Sequence, residues 1–273
     1  MCLEQTKPQA ILLSGSAAAG EADGYSDLDL ILYYDETPSL EACEAVREEL
    51  GGTRHVVIWP HGELGYGEQY EVDGVQVQLG HATFADLEAD AKKVLVEFDF
   101  EGDSEPLQKV FDGLHNGLAL YGADVIEDWR EKTRYTPELQ RALIEKHWRF
   151  FPIWHYEEQL ATRDALLWRH QVMVESAFRI LAVLAALNRI YFSSFQLKRM
   201  RKLADRFELA PPRLAGRIEA LFGDDAIAEL ESLLVETQGL LETHLPDFDA
   251  AGAWHRTGRP MAPGTRAAPW AAE

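Results

Sequence analysis

The stretch from Ile11 to Tyr34 constrains the fold of this chain more than any other. It reads as an apolar strand, a Ser-Gly-Ser sequence, three alanines, a polar linker and a second apolar run that contains Asp27 and Asp29. Residues i and i+2 of an extended strand project from the same face, so the two carboxylates are expected side by side. The pattern predicts two neighbouring strands with an acidic pair on the second.

Two adjacent carboxylates within an apolar run need a counter-charge, because crowded and partly desolvated like charges repel. Mg²⁺ suits this position, since proteins usually hold it with one or two carboxylates together with substrate phosphates. Upstream, Gly15 and Ser16 can turn tightly into a helix formed by the alanines, which places backbone N–H groups and the Ser16 hydroxyl to bind a phosphate. These residues together indicate phosphoryl or nucleotidyl transfer.

A Gly-Ser pair after one strand, followed about a dozen residues later by Asp-x-Asp in the next strand, resembles the DNA polymerase β-like nucleotidyltransferase superfamily. The resemblance is closest to its small-molecule members of the bacterial aminoglycoside and lincosamide type. It implies that Gly15 and Ser16 contact the triphosphate, and that Asp27 and Asp29 ligate Mg²⁺. It also implies transfer of a nucleoside monophosphate from an NTP, with ATP as the expected donor, to a hydroxyl of a small-molecule acceptor. The alternative for the same residues is a surface hairpin with acidic side chains.

Members of this family usually add a third carboxylate from a neighbouring strand. The expected strand here is 75–79, after the Asp-Gly turn at 73–74, and its inward position is Gln76 or Gln78. An amide cannot act as a general base and is a poorer Mg²⁺ ligand, so this sequence departs from the family pattern. Glu71 is the candidate catalytic base, ahead of Asp73, because Asp-Gly is ordinary hairpin chemistry. The departure leaves a catalytically inactive nucleotide-binding module as an alternative function.

Composition limits the classes of partner. The chain has 46 acidic and 26 basic residues and a net charge of -20, which disfavours a nucleic-acid partner and fits a cationic small substrate. The two cysteines, Cys2 and Cys43, indicate neither a disulfide framework nor a zinc site. There is no signal-like N-terminus and no apolar run approaching membrane-spanning length, so we expect a cytoplasmic protein without a membrane partner.

The order of elements predicts an α+β protein, with a small mixed-sheet nucleotidyltransferase domain followed by an all-α helical bundle. We expect the first domain over residues 1–102, the helical domain over 103–250, and a flexible tail over 251–273. A helix from Glu105 is expected to carry Leu118 on its apolar face, and residues 180–187 are apolar nearly all round, as in a central helix.

The predicted helical domain contributes one further site residue and two open alternatives. Lys198 follows a helix end and, by the family resemblance, reaches the triphosphate; the alternative for Lys198 is a solvated surface side chain. The helices could instead bind a protein partner, as in a toxin-antitoxin pair or an enzyme that nucleotidylates a protein. The sequence also leaves a homodimer open.

Overall fold

The computed structural model describes residues 2–62, 65–100, 104–157 and 164–251. The chain forms two compact units. The first takes residues up to Leu139 together with Tyr191–Ser193, and the second takes Gln140–Ile190 and the residues from Ser194 onward. The expected tail, residues 251–273, lies outside the described residues except for Ala251.

The first unit contains the strands and the helices that pack on them. Its strands are β1 (Ala10–Ser14), β2 (Leu28–Tyr34), β3 (Thr53–Gly62), β4 (Gly65–Val72), β5 (Val75–Thr83) and β6 (Leu118–Tyr121). Its helices are α1 (Cys2–Gln5), α2 (Gly15–Ala18), α3 (Leu40–Glu49), α4 (Phe84–Leu95), α5 (Ser104–Asn116) and α6 (Ala123–Lys132).

The six strands form one mixed sheet in the order β3-β4-β5-β2-β1-β6. The β2–β5 pair is parallel and the other neighbours are antiparallel. The parallel pair needs a long connection, which α3 and the β3–β4 hairpin provide. The α+β fold class predicted from the sequence is confirmed.

The pleat of the sheet creates two faces with different contents. One, which we call the α3 face, carries a buried core of Leu32, Tyr34, Tyr70 and Leu79. The opposite one, which we call the aspartate face, carries Asp29 and Gln78, which are direct partners in the β2–β5 pairing. Because side chains alternate along each strand, the two faces are chemically separate.

Residue 118 corrects the sequence expectation for this region. Leu118 does not continue α5, because α5 ends at Asn116 and Leu118 begins β6, which pairs with β1. Strand β6 therefore ties residues 118–121 to the sheet, and the first compact unit extends to Leu139.

The second unit is helical around α9. Its elements are α7 (Pro137–His147, which begins in the first unit), α8 (Ile153–His155), α9 (Leu166–Leu187), a 3₁₀ helix (Ser194–Arg199), α10 (Met200–Asp205), α11 (Leu214–Ala220) and α12 (Ala226–His244). Every residue from Ile180 to Leu187 is buried, as the all-round apolar pattern predicted.

Helix α9 also corrects the expectation about apolar runs. In the part of the chain that the structure describes, α9 is long and apolar enough, by length and composition alone, to cross a membrane. However, 67% of the most apolar 18-residue stretch of α9 is buried inside the protein, and the core helix of a soluble protein is buried in the same way.

Candidate functional site

The two aspartates of the sequence motif both lie next to the side chain of Gln78. Asp27 immediately precedes β2, and its Oδ2 accepts a hydrogen bond from the Gln78 side-chain nitrogen on β5. Asp29 lies directly opposite Gln78 in the parallel pairing. Both carboxylates are half-buried. They therefore stand together on the aspartate face, in the arrangement that the i, i+2 spacing predicts.

The Gly-Ser segment lies against this pair on the other side. Ser14, at the end of β1, is the pairing partner of Asp29. Gly15 follows with a φ of 65°, and a Cβ built there would collide with the Asp29 carboxylate. Only glycine accepts both the left-handed backbone and this close approach. The backbone of Gly15 therefore lies close to the carboxylate of Asp29, a candidate metal ligand.

The loop that links these two segments is ordered by its own hydrogen bonds. The Ser16 carbonyl accepts from the Glu21 N–H at 2.9 Å, which closes the turn after α2. Further on, Asp23 Oδ1 accepts from the Tyr25 N–H at 2.9 Å. The Asx turn leads directly to Asp27 and leaves the Tyr25 ring fully exposed.

The amide side chain of Gln78 lies beside the two aspartates. Of the two glutamines that the sequence left open, Gln78 is the one that hydrogen-bonds to Asp27. Gln76 is exposed on the same strand and pairs with β4. The site therefore has two carboxylates and one amide at the point where the resemblance implies a third carboxylate.

Two other predicted residues lie on other elements. Glu71 lies on β4, and β5 separates it from β2, a distance of about 10 Å between strand axes. Its Oε2 accepts a hydrogen bond from the Arg54 guanidinium at 2.9 Å. Lys198 belongs to the second unit, where it is exposed on the 3₁₀ helix.

The α3 face holds a second polar cluster that sequence reasoning did not find. Glu68 on β4 is 1% exposed, and it lies between Arg47 of α3, at 3.3 Å, and two histidines. His55 Nε2 is 3.0 Å from one Glu68 oxygen, and His81 Nε2 is 3.5 Å from the other. Burial opposes ionisation of Glu68, but the His81 hydrogen bond and the nearby positive charges outweigh it and hold the pKa of Glu68 below its usual value.

The same cluster perturbs a neighbouring tyrosine. Burial, followed by the negative charge of Glu68, raises the pKa of Tyr66 to about 12. Tyr66, Glu68 and Tyr70 alternate along β4, so a period of two was the available signal that a charged group faces the core. The sequence could not show which residues would surround that charge.

Comparison with known proteins adds little to this geometry. No family model matches the chain, and no curated protein matches it. Among solved structures, it is similar to the crystal structure of a nucleotidyltransferase-like protein from Exiguobacterium sibiricum 255-15, at 12% identity with a TM-score of 0.29. That similarity covers 89% of this chain and 75% of the other. A similarity this low carries no functional conclusion for this chain.

Proposed function

We propose that this protein is an Mg²⁺-dependent nucleotidyltransferase that moves a nucleoside monophosphate from an NTP, with ATP as the expected donor, to a hydroxyl of a small-molecule acceptor. One observation carries the proposal. The backbone of Gly15 abuts the Asp29 carboxylate, and Asp27 stands on the same sheet face beside it. The turn proposed to bind phosphate therefore lies next to the carboxylate pair proposed to bind the metal.

The donor atoms fit the metal. Carboxylate oxygens are the ligands that Mg²⁺ prefers, and Asp27 and Asp29 supply four of them. The Gln78 amide occupies one oxygen of Asp27, so the remaining oxygens are the expected ligands. When bound, Mg²⁺ supplies charge neutralisation on the triphosphate.

The residues of the turn have a separate task in this mechanism. The N–H groups after Gly15 and the half-buried Ser16 hydroxyl bind the phosphates. Residue 15 has to be glycine, because a Cβ there would collide with the Asp29 carboxylate. An acceptor hydroxyl then attacks the α-phosphorus in line, the P–O bond to the β-phosphate breaks, and pyrophosphate leaves. Holding both reactants in line is the main contribution of such a site.

The proton of the acceptor hydroxyl needs a base. Gln78 cannot accept it, and Glu71 is one strand further away and paired with Arg54. Glu71 can serve only for an acceptor that lies across β5. The amide at position 78 therefore favours the second candidate function, a module that binds the nucleotide without turning it over.

The first test is calorimetric titration of the whole chain with ATP, with and without Mg²⁺. We expect Mg²⁺-dependent binding that is lost in the double variant Asp27→Asn/Asp29→Asn. Asp73→Asn is the matched control, because it removes an acid of the same unit from the β4–β5 turn and should leave binding unchanged. Undiminished binding by the double variant would contradict the proposal.

A second measurement separates the two candidate functions. Pyrophosphate release in the presence of hydroxyl-bearing cationic acceptors supports the transferase. Binding without release across such acceptors supports the inactive module.

A further inference from the structure

Three buried side chains from three elements point their electron-pair donors at one place on the α3 face. Cys43 of α3 is 2% exposed, Glu68 of β4 is 1% exposed, and His81 of β5 is 4% exposed. Cys43 Sγ lies 4.0 Å from His81 Nε2, and His81 Nε2 lies 3.5 Å from Glu68 Oε1. One ligand atom from each residue lies within 4.8 Å of the others.

Behind His81, a hydroxyl holds the other ring nitrogen. The Tyr34 hydroxyl oxygen lies 2.9 Å from His81 Nδ1 and 3.1 Å from Thr6 Oγ1. In the tautomer whose proton is on Nδ1, the Nε2 lone pair faces Glu68 and Cys43. A hydrogen-bonded second ring nitrogen is the usual support of a metal-binding histidine.

A thiol sulfur, an imidazole lone pair and a carboxylate oxygen in contact require a proton or a metal cation between them, because buried electron-pair donors repel. We propose that Cys43, Glu68 and His81 bind a zinc ion. In tetrahedral zinc sites the bonds to sulfur, nitrogen and oxygen are about 2.0 to 2.3 Å, so neighbouring ligand atoms are about 3.3 to 3.7 Å apart. The observed 3.5 and 4.0 Å are close to that requirement.

The charges of the cluster agree with a divalent ion. A thiolate and a carboxylate balance Zn²⁺, and Glu68 Oε1 is the oxygen that faces His81. The other oxygen, Oε2, remains paired with Arg47 at 3.3 Å and lies 3.0 Å from His55 Nε2. A water supplies the fourth ligand. Sulfur together with nitrogen selects zinc over Mg²⁺.

This site is separate from the aspartate face and does not depend on the proposed nucleotide chemistry. It joins α3 to two central strands, so its role is structural: binding free energy at a buried site formed only in the folded protein stabilises the fold. The ligands are 25 and 13 residues apart along the chain (68 − 43 and 81 − 68), which is why no short metal motif appears in the sequence.

The test is the metal content of the purified full-length chain, measured by elemental mass spectrometry after dialysis against zinc and then against metal-free buffer. We expect about one zinc per chain in the wild type. The same content is expected in Cys2→Ser, which removes the other cysteine, and in Asp27→Asn/Asp29→Asn, which removes the carboxylates of the aspartate face. Cys43→Ser and His81→Gln should lose most of it.

Cobalt provides a spectroscopic readout of the same site. Co²⁺ exchanged into the wild type should give a thiolate-to-metal charge-transfer band in the near ultraviolet, present in Cys2→Ser and absent in Cys43→Ser. A folded wild type with neither zinc nor this band overturns the proposal and leaves a buried His81–Glu68 ion pair. Retention of one zinc by Cys43→Ser overturns it as well.

Discussion

Replacing Gln78 by glutamate tests whether the aspartate face is one electrostatic unit. The change adds a third negative charge opposite Asp29 and removes the amide that donates to Asp27. Without a cation, three carboxylates then share one small area of the sheet. We expect Gln78→Glu to destabilise the protein in the absence of Mg²⁺ and to make its stability depend on Mg²⁺.

The magnitude follows from the strand spacing. Charges about 5 Å apart interact by about 1 kcal/mol in water and about 3 kcal/mol at an effective dielectric constant of about 20. The sites are half-buried, so the repulsion lies between these limits. Loss of the hydrogen bond to a charged acceptor adds about 1.5 kcal/mol. The total, about 2.5 to 4.5 kcal/mol, corresponds to a fall in melting temperature on the order of 10 °C.

The assay is thermal unfolding at pH 8 with EDTA and again with millimolar Mg²⁺. Mg²⁺ should recover most of the loss in Gln78→Glu, because an ion that binds only the folded state stabilises it. Gln69→Glu is the matched control: Gln69 pairs with Gln78 one strand further from β2, so the same charge is added about 10 Å from Asp29. Between the same two dielectric limits, its expected shift is about 0.4 to 1.7 kcal/mol.

Equal stability of Gln78→Glu and wild type in EDTA would refute the reasoning. So would a fall that Mg²⁺ does not reverse. Either result would mean that residue 78 and the two aspartates do not act on a common ion.

Two further predictions concern a backbone position and a buried histidine. Gly15→Ala should abolish Mg²⁺-dependent ATP binding, because the new Cβ would meet the Asp29 carboxylate. The control is Gly20→Ala, which should retain binding. Gly20 also has a positive φ, so alanine there costs about 1–2 kcal/mol of stability, but a Cβ at residue 20 would have open space around it. Burial, followed by the charges of Lys146 and Arg179, lowers the pKa of His147 to about 3. The imidazole of His147 therefore binds a proton more readily in the unfolded chain than in the folded protein, and the folded state loses stability as the pH falls. The free energy of unfolding, measured with urea, should fall by about 1 to 2 kcal/mol from pH 7 to pH 5. His147→Gln should show a smaller dependence of this free energy on pH.

The sequence predicted the parts of the fold that depend on local periodicity. The hairpin across Asp73-Gly74 and the buried central helix at 180–187 follow from patterns of two and about 3.6 residues. Residue 118 was misassigned because an apolar leucine fits a helix period and a short edge strand equally well. Its pairing with β1 is a long-range contact that periodicity does not contain.

For the site, the sequence by itself determined that Asp27 and Asp29 share a strand face and that a tight Gly-Ser turn precedes them, because both follow from spacing within one segment. Only the tertiary structure decided that Gln78 rather than Gln76 bonds to the pair, that Glu71 lies a strand further away, and that Cys43, Glu68 and His81 converge on the opposite face. The physical reason is the parallel pairing of β2 with β5. Its register is set by packing between segments almost fifty residues apart, and no local pattern encodes it.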